Sequence, residues 1–227
     1  MTEAERTLAS LIGINLVVFG CWQIPRLAPF MTRWFLHHPT KGNSITLLTS
    51  CFSHQEVLHL GLNMVGLWSF GSIMHEVLGR EQFLAFYLTT GIGANVASHV
   101  LSLASRRWRP LLPSLGASGA LYGLLASTAV LYPQSSVYIA FLPFIPIQLG
   151  YCVPALMGFD LAGILLRWSM FDHYAHLAGA CIGLAYTEYG QKHIWIPITH
   201  KIHEIRAQFR RPPPSAPSAS TTPWYRF

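Results

Sequence analysis

Six apolar stretches of roughly helix-spanning length, about 20 residues each, run through this chain with few charges inside them. No other feature narrows the possible folds so far. Backbone in hydrocarbon must satisfy its own N–H and C=O groups, so such stretches read as helices packed together in a bilayer. Only 11% of the 227 residues are charged and 52% are hydrophobic, whereas an average soluble domain is about 25% charged. The expected architecture is an all-α membrane protein, a bundle of six transmembrane helices in one domain.

The helices are expected over residues 8–24, 58–78, 83–103, 115–133, 148–166 and 173–189. Pro25, Gly79 and Pro133 punctuate three of the ends. Residues 26–53 make a polar, basic loop, and Arg106, Arg107, Arg109, Pro110 and Pro113 make the next one. Residues 137–146 are apolar but carry Pro143 and Pro146, which points to a non-helical interfacial stretch. Pro154 falls in the first turns of the fifth helix. The chain thus reads as a short N-terminal segment (1–7), a membrane core (8–190) and a basic, then Pro/Ser/Thr-rich tail (191–227) whose last residues are expected to be disordered. The first six residues carry two glutamates and match neither a signal peptide nor an Arg-rich transit peptide. Targeting is then internal, or belongs to an earlier part of a longer protein.

The net charge of +6 lies largely outside the apolar runs, where it serves topology and headgroup contact. No interleaving of basic and aromatic residues argues for nucleic acid; the partner is the lipid bilayer. Lys and Arg divide almost evenly between the two membrane faces, so they do not orient the bundle. Cys21, Cys51, Cys152 and Cys181 show no paired spacing and read as small core residues.

Counting directions is more informative. Six spans put both termini on one side, so the second, fourth and sixth helices all start on the other. His59 and Asn63 begin the second, Ser118 the fourth and His176 the sixth. All four therefore lie at similar depth below one face. Polar residues in a membrane are costly and turn toward the bundle interior or a water-filled cavity. Gly119-x-x-x-Gly123 and Gly179-x-x-x-Gly183 would let the fourth and sixth helices approach closely.

A serine hydroxyl becomes a nucleophile when a base takes its proton, and His176 is the candidate base. His59 and Asn63, at i and i+4, share a helix face and can donate to an oxyanion, as can the Ser118 backbone N–H in an unsatisfied first turn. The plainer reading makes the serine a packing hydroxyl and His59 and Asn63 an interhelical clamp. No carboxylate is expected at the same depth and face, so the constellation is a Ser–His dyad. Asp160 lies mid-helix with a partner the sequence does not name, and Asp172 lies in the loop one turn before His176. The zinc motif H-E-x-x-H is absent, and the spacing of His54 and His59 does not put two ligands on one helical face. An aspartyl site lacks its second buried aspartate. Neither a metal nor a cofactor is expected.

His59-x-x-x-Asn63, Gly116-Ala117-Ser118-Gly119 and Ala175-His176-Leu177-Ala178-Gly179, in this order over residues 8–189, resemble the motifs of the rhomboid intramembrane serine proteases. Glu76 and Gly79 look like that family's turn after the second helix. Tyr122 matches a position where many members pack a tyrosine on the catalytic imidazole. Glu81-Gln82-Phe83, Pro113-Ser114-Leu115, Phe171-Asp172-His173 and His203-Glu204-Ile205-Arg206 are similar to the presenilin-associated rhomboid-like branch of the mitochondrial inner membrane. The resemblance implies a serine endopeptidase that cleaves single-pass transmembrane proteins. Ser118 would be nucleophile and His176 general base and acid; His59, Asn63 and the Ser118 N–H would hold the oxyanion; Gly116, Gly119, Tyr122, Gly179 and Gly183 would support them. That branch carries a targeting region and an extra helix ahead of the core, which this chain does not show. The alternative is a non-catalytic rhomboid-like escort of membrane proteins; such relatives usually lose the serine or histidine, and both are kept here. A small transporter would show an internal repeat, and none is seen.

Overall fold

The computed structural model describes residues 1–41, 43–139 and 142–210. The tail end expected to be disordered lies outside them. The chain divides into two units, Met1–Glu188 and Tyr189–Phe227.

In the first unit a helix occupies each of the six expected places. α1 spans Glu3–Trp22 and starts earlier than its apolar run. The reason is a capping box: Glu5 N–H donates to Thr2 Oγ1 at 3.1 Å, and Thr2 N–H donates to the Glu5 carboxylate at 2.7 Å. The basic loop is not featureless, since it folds into two short helices, α2 (Ala28–Trp34) and α3 (Thr46–Thr49). α4 spans Val57–Leu78 and ends at Gly79, whose φ of +75° reverses the chain into α5, Arg80–Ser105. α6 spans Ser118–Leu131 and starts three residues later than expected. Gly116 sits at φ +123° with its N–H bonded to Ser50 C=O, and Ser114 pairs with His37 in a two-way backbone bridge. Both ties hold residues 114–116 away from a helical path.

The stretch with Pro143 and Pro146 is indeed non-helical; it forms a hairpin of β1 (Ser136–Ile139) and β2 (Leu142–Gln148), with Ser136 opposite Gln148 and Tyr138 opposite Pro146. α7 follows over Leu149–Leu165 with Pro154 inside it. α8 spans His173–Ala185 and gives way to π-type turns over Tyr186–Trp195, earlier than the expected end of the sixth helix. In the second unit these turns lead to α9, Ile196–Arg210.

The core sits where α1, α4, α5 and α6 meet: Leu8, Leu67, Met74, Phe83, Phe86, Tyr87 and Leu124 are buried together. α6 packs on α4, α5, α7 and α8, so most of its first three turns is buried. Large apolar residues such as Val65, Trp68, Val100 and Leu161 point outward, as lipid-facing residues do. By length and apolarity α1 and α4 can each cross a membrane, while α6 and α7 are apolar but shorter. All four cysteines are free; Cys51 and Cys152 are buried, but Cys181 is exposed on the outer face of α8, which corrects its reading as a core residue.

The tightest packing joins α6 to α8. A Cβ on Gly179 would fall 2.0 Å from Gly119 O, and one on Gly183 would fall 2.5 Å from Gly123 Cα. Both clashes are with backbone, which cannot swing aside. Gly183→Leu is therefore expected to push the helices apart at a cost above the ~1–3 kcal/mol of ordinary overpacking. Thermal unfolding in detergent should show a markedly lowered midpoint; an unchanged midpoint would mean that the pair does not hold the fold together.

Candidate active site

Ser118 is the first residue of α6, and its hydroxyl lies 3.0 Å from His176 Nε2. The glycine contact between α6 and α8 makes this reach possible, because a serine side chain extends only one bond beyond Cβ. His176 stands in the first turn of α8. Asp172 caps that helix by accepting the Ala175 N–H at 3.0 Å, so it is an N-cap and not merely a loop residue. Its carboxylate also accepts the hydroxyls of Ser98 on α5 at 2.7 Å and Ser114 at 2.6 Å. One carboxylate thereby ties α5, the segment before α6 and the start of α8, fixing the direction from which His176 approaches.

The structure corrects the expectation that no carboxylate joins the pair. Asp160 on α7 is fully buried, and its Oδ1 lies 3.0 Å from His176 Nδ1 and 2.6 Å from His173 Nδ1. Asp160, whose partner the sequence does not name, has two. An ionised carboxylate only accepts, so with Asp160 as carboxylate Nδ1 of His176 carries the proton. That leaves the Nε2 lone pair free to accept the Ser118 proton, the tautomer a general base needs. The Tyr122 ring stacks on the imidazole, with centroids 4.2 Å apart and planes at 9°, and holds its plane. Asp160, His173 and His176 also bring three ligand atoms within 4.8 Å of one another, a set that could accept a divalent cation; the two Nδ1–H···Oδ1 bonds employ the same atoms without one.

His59 lies against the other side of the serine turn. A Cβ on Gly116 would fall 2.9 Å from the His59 ring, so the bare α-carbon lets the imidazole come within reach of residues 116–118. His54, which the sequence offers only as a failed zinc ligand, packs edge-on against His59 with centroids 4.8 Å apart, and its Nε2 accepts the Ala117 N–H at 3.4 Å. Burial, with His59 beside it, pushes His54 down to about 3, so it stays neutral. Asn63, one turn deeper, donates one amide hydrogen to His59 C=O at 2.8 Å and keeps the second.

Ser118, His176, His59, His173 and Asp172 line one cavity of about 720 Å³, with Leu36, Leu58, Met170 and Phe171 among its apolar walls. A larger cavity, about 960 Å³, lies by the first loop and contains neither Ser118 nor His176.

The family model of the Rhomboid domain matches residues 41–192, a stretch that contains His54, His59, Asn63, Ser118, Tyr122, Asp160, Asp172, His173 and His176. The chain belongs to the rhomboid family. It is 39% identical over 210 residues to presenilin-associated rhomboid-like protein A, mitochondrial, of Danio rerio, covering 91% of this chain and 54% of the relative. The mitochondrial presenilin-associated rhomboid-like protein of Homo sapiens is also 39% identical over 210 residues, with 91% of this chain and 55% of the relative covered. Rhomboid protein 1, mitochondrial, of Saccharomyces cerevisiae is 36% identical over 199 residues, covering 84% of this chain and 55% of the relative. The chain thus spans about half the length of these relatives.

Asp160→Asn keeps the shape of the side chain but removes the charge and offers an N–H where an acceptor is needed. Labelling of Ser118 by a fluorophosphonate should slow by up to about 10⁴-fold, the loss when the equivalent acceptor is changed in a serine triad. Labelling at the unaltered rate would show that the Asp160–His176 bond contributes nothing to nucleophile activation.

Proposed function

We propose that this chain is an intramembrane serine endopeptidase, a bundle of six membrane-spanning helices that cleaves transmembrane segments of single-pass membrane proteins. The observation that carries the reading is the 3.0 Å approach of Ser118 Oγ to an imidazole whose other nitrogen faces a buried carboxylate. The mitochondrial relatives support a place in a mitochondrial membrane, and the inner one is the reading that the resemblance to the presenilin-associated branch implies.

Ser118 Oγ attacks the carbonyl carbon of the scissile bond while His176 Nε2 takes its proton. Asp160 stabilises the imidazolium that forms. Negative charge grows on the former carbonyl oxygen, and the donors suited to it are the Ser118 N–H, with the positive end of α6 behind it, the His59 ring and the remaining Asn63 hydrogen. His176 then protonates the leaving amine. Water attacks the acyl-enzyme, His176 takes a proton from it, and Ser118 leaves with its hydroxyl restored. A helical peptide bond is shielded by its own hydrogen bonds, so the substrate unwinds before it reaches Ser118. The cavity that opens on the loops admits the water.

Ser118→Ala and His176→Ala should each abolish cleavage of a transmembrane substrate in proteoliposomes, and the double variant should be no worse than either, because the two act as a unit. A fluorophosphonate should label the unaltered chain and not Ser118→Ala. Appreciable turnover by Ser118→Ala, or labelling elsewhere, would overturn the assignment. Asn63→Ala should slow turnover by about 10²–10³-fold, as removal of one oxyanion donor does. His59→Ala should act alike, and unaltered rates in both would make the pair a structural clamp.

A further inference from the structure

The histidine one turn before His176 is an uneconomical residue to bury. His173 is fully buried, and its Nε2 has no partner among the described residues. Phe159, Trp168 and Phe171 surround its ring at centroid distances of 6.1, 6.2 and 6.1 Å. On the remaining side the ring presses on Gly163, where a Cβ would fall 2.4 Å from Cε1 and Nε2. α7 therefore leaves out a side chain to make room for an imidazole that wastes half its hydrogen-bonding capacity. A phenylalanine or leucine would fill an aromatic-lined hole without leaving a buried polar atom unsatisfied, a burden of about 1–3 kcal/mol. The ring's one polar interaction is the Nδ1–H bond to Asp160 Oδ1, and at 2.6 Å it is shorter than the 3.0 Å bond from His176 to the same oxygen.

From this we infer that His173 is a positioning residue for the proposed hydrolysis: it clamps the Asp160 carboxylate so that one oxygen is shared between two imidazoles of α8, and through that oxygen it fixes the tautomer and plane of His176. Two spacings build the clamp. His173 and His176, at i and i+3, share a face of α8; Asp160 and Gly163, also i and i+3, share a face of α7. Asp160 has two rotatable side-chain bonds and, among the described residues, its Oδ2 is unpartnered. With His176 as its only imidazole donor and the Tyr122 hydroxyl as its other polar neighbour, the carboxylate could swing away from His176. The second donor removes that freedom and offsets part of the cost of burying the charge. When His176 becomes an imidazolium, its bond to Oδ1 becomes charge-assisted and tightens, while His173 still holds the oxygen in place.

The inference rests on the proposed catalytic reading, and its test separates the two. His173→Asn retains an N–H close to the Nδ1 position; His173→Leu fills similar volume without a donor. In proteoliposomes the leucine variant should lose about 10–100-fold in kcat with KM changed less than twofold, and the rate of Ser118 labelling by a fluorophosphonate should fall in parallel. Asparagine should restore most of both. Proton NMR of the detergent-solubilised protein, labelled with 15N-histidine, reads the clamp without activity. Two exchange-protected Nδ1–H resonances are expected far downfield in the unaltered protein, one in His173→Asn, and none in Asp160→Asn. Wild-type kcat in the leucine variant, or asparagine as slow as leucine, would overturn the positioning role. Should the leucine variant not fold, the asparagine variant and the two resonances still decide: a single downfield resonance in the unaltered protein would show that Oδ1 is not shared. If instead Ser118→Ala retains turnover, the catalytic reading fails while the NMR result on Asp160 stands.

Discussion

The site depends on how closely two helix backbones approach. α6 and α8 touch through Gly119, Gly123, Gly179 and Gly183, with carbonyl oxygens where side chains would otherwise stand. Only at this separation can the shortest hydroxyl side chain on one helix hydrogen-bond an imidazole on the other in ordinary rotamers. Everything nearby is adapted to that contact. Tyr122, one turn along α6 from Ser118, lies flat on the ring it must steady. α7 packs against both helices and brings Asp160 to the back of the same ring.

Two aspartates near the site do different work because their surroundings differ. Asp172 lies at the cavity wall, accepts two hydroxyls and a helix N–H, and fastens three segments. Asp160 lies away from the cavity, with the two imidazoles of α8 on its Oδ1 and the Tyr122 hydroxyl as a further polar neighbour. The first sets where α8 begins; the second sets which nitrogen of His176 carries a proton. Neither substitutes for the other, since a carboxylate at a helix N-terminus is neutralised by backbone dipoles, whereas one in the bundle interior needs discrete donors.

The helices and the pairing of α4, α6 and α8 at one face were legible because the signals are local: apolar length, proline and glycine stops, and the parity of the span count. The same parity carried the clue to Asp160. α7 runs toward the site face, so its depth is counted back from Leu165; Asp160 is then five residues in, while His176 is three residues in from His173. Reading Asp160 as mid-helix hid that near match. Other features had no local signature. The late start of α6 is imposed by the bridge between His37 and Ser114 and by the Gly116–Ser50 bond, each spanning more than 60 residues of chain. The roles of His54 and His173 likewise exist only once Ala117 and Asp160 are beside them.

The length of α6 has a further consequence on the proposed membrane reading. Its 14 residues rise about 21 Å, against about 30 Å of hydrocarbon in a typical bilayer. The neighbouring helices sheathe all but its last turn, so lipid meets it only at Val130 and Leu131. The nucleophile is therefore carried on a pillar shorter than the room around it, and the missing height becomes a recess inside the protein, not a dimple in the membrane. Polar chemistry is given depth without asking the bilayer to thin, and the depth of that recess is a property of the fold that does not vary with the thickness of the membrane around it.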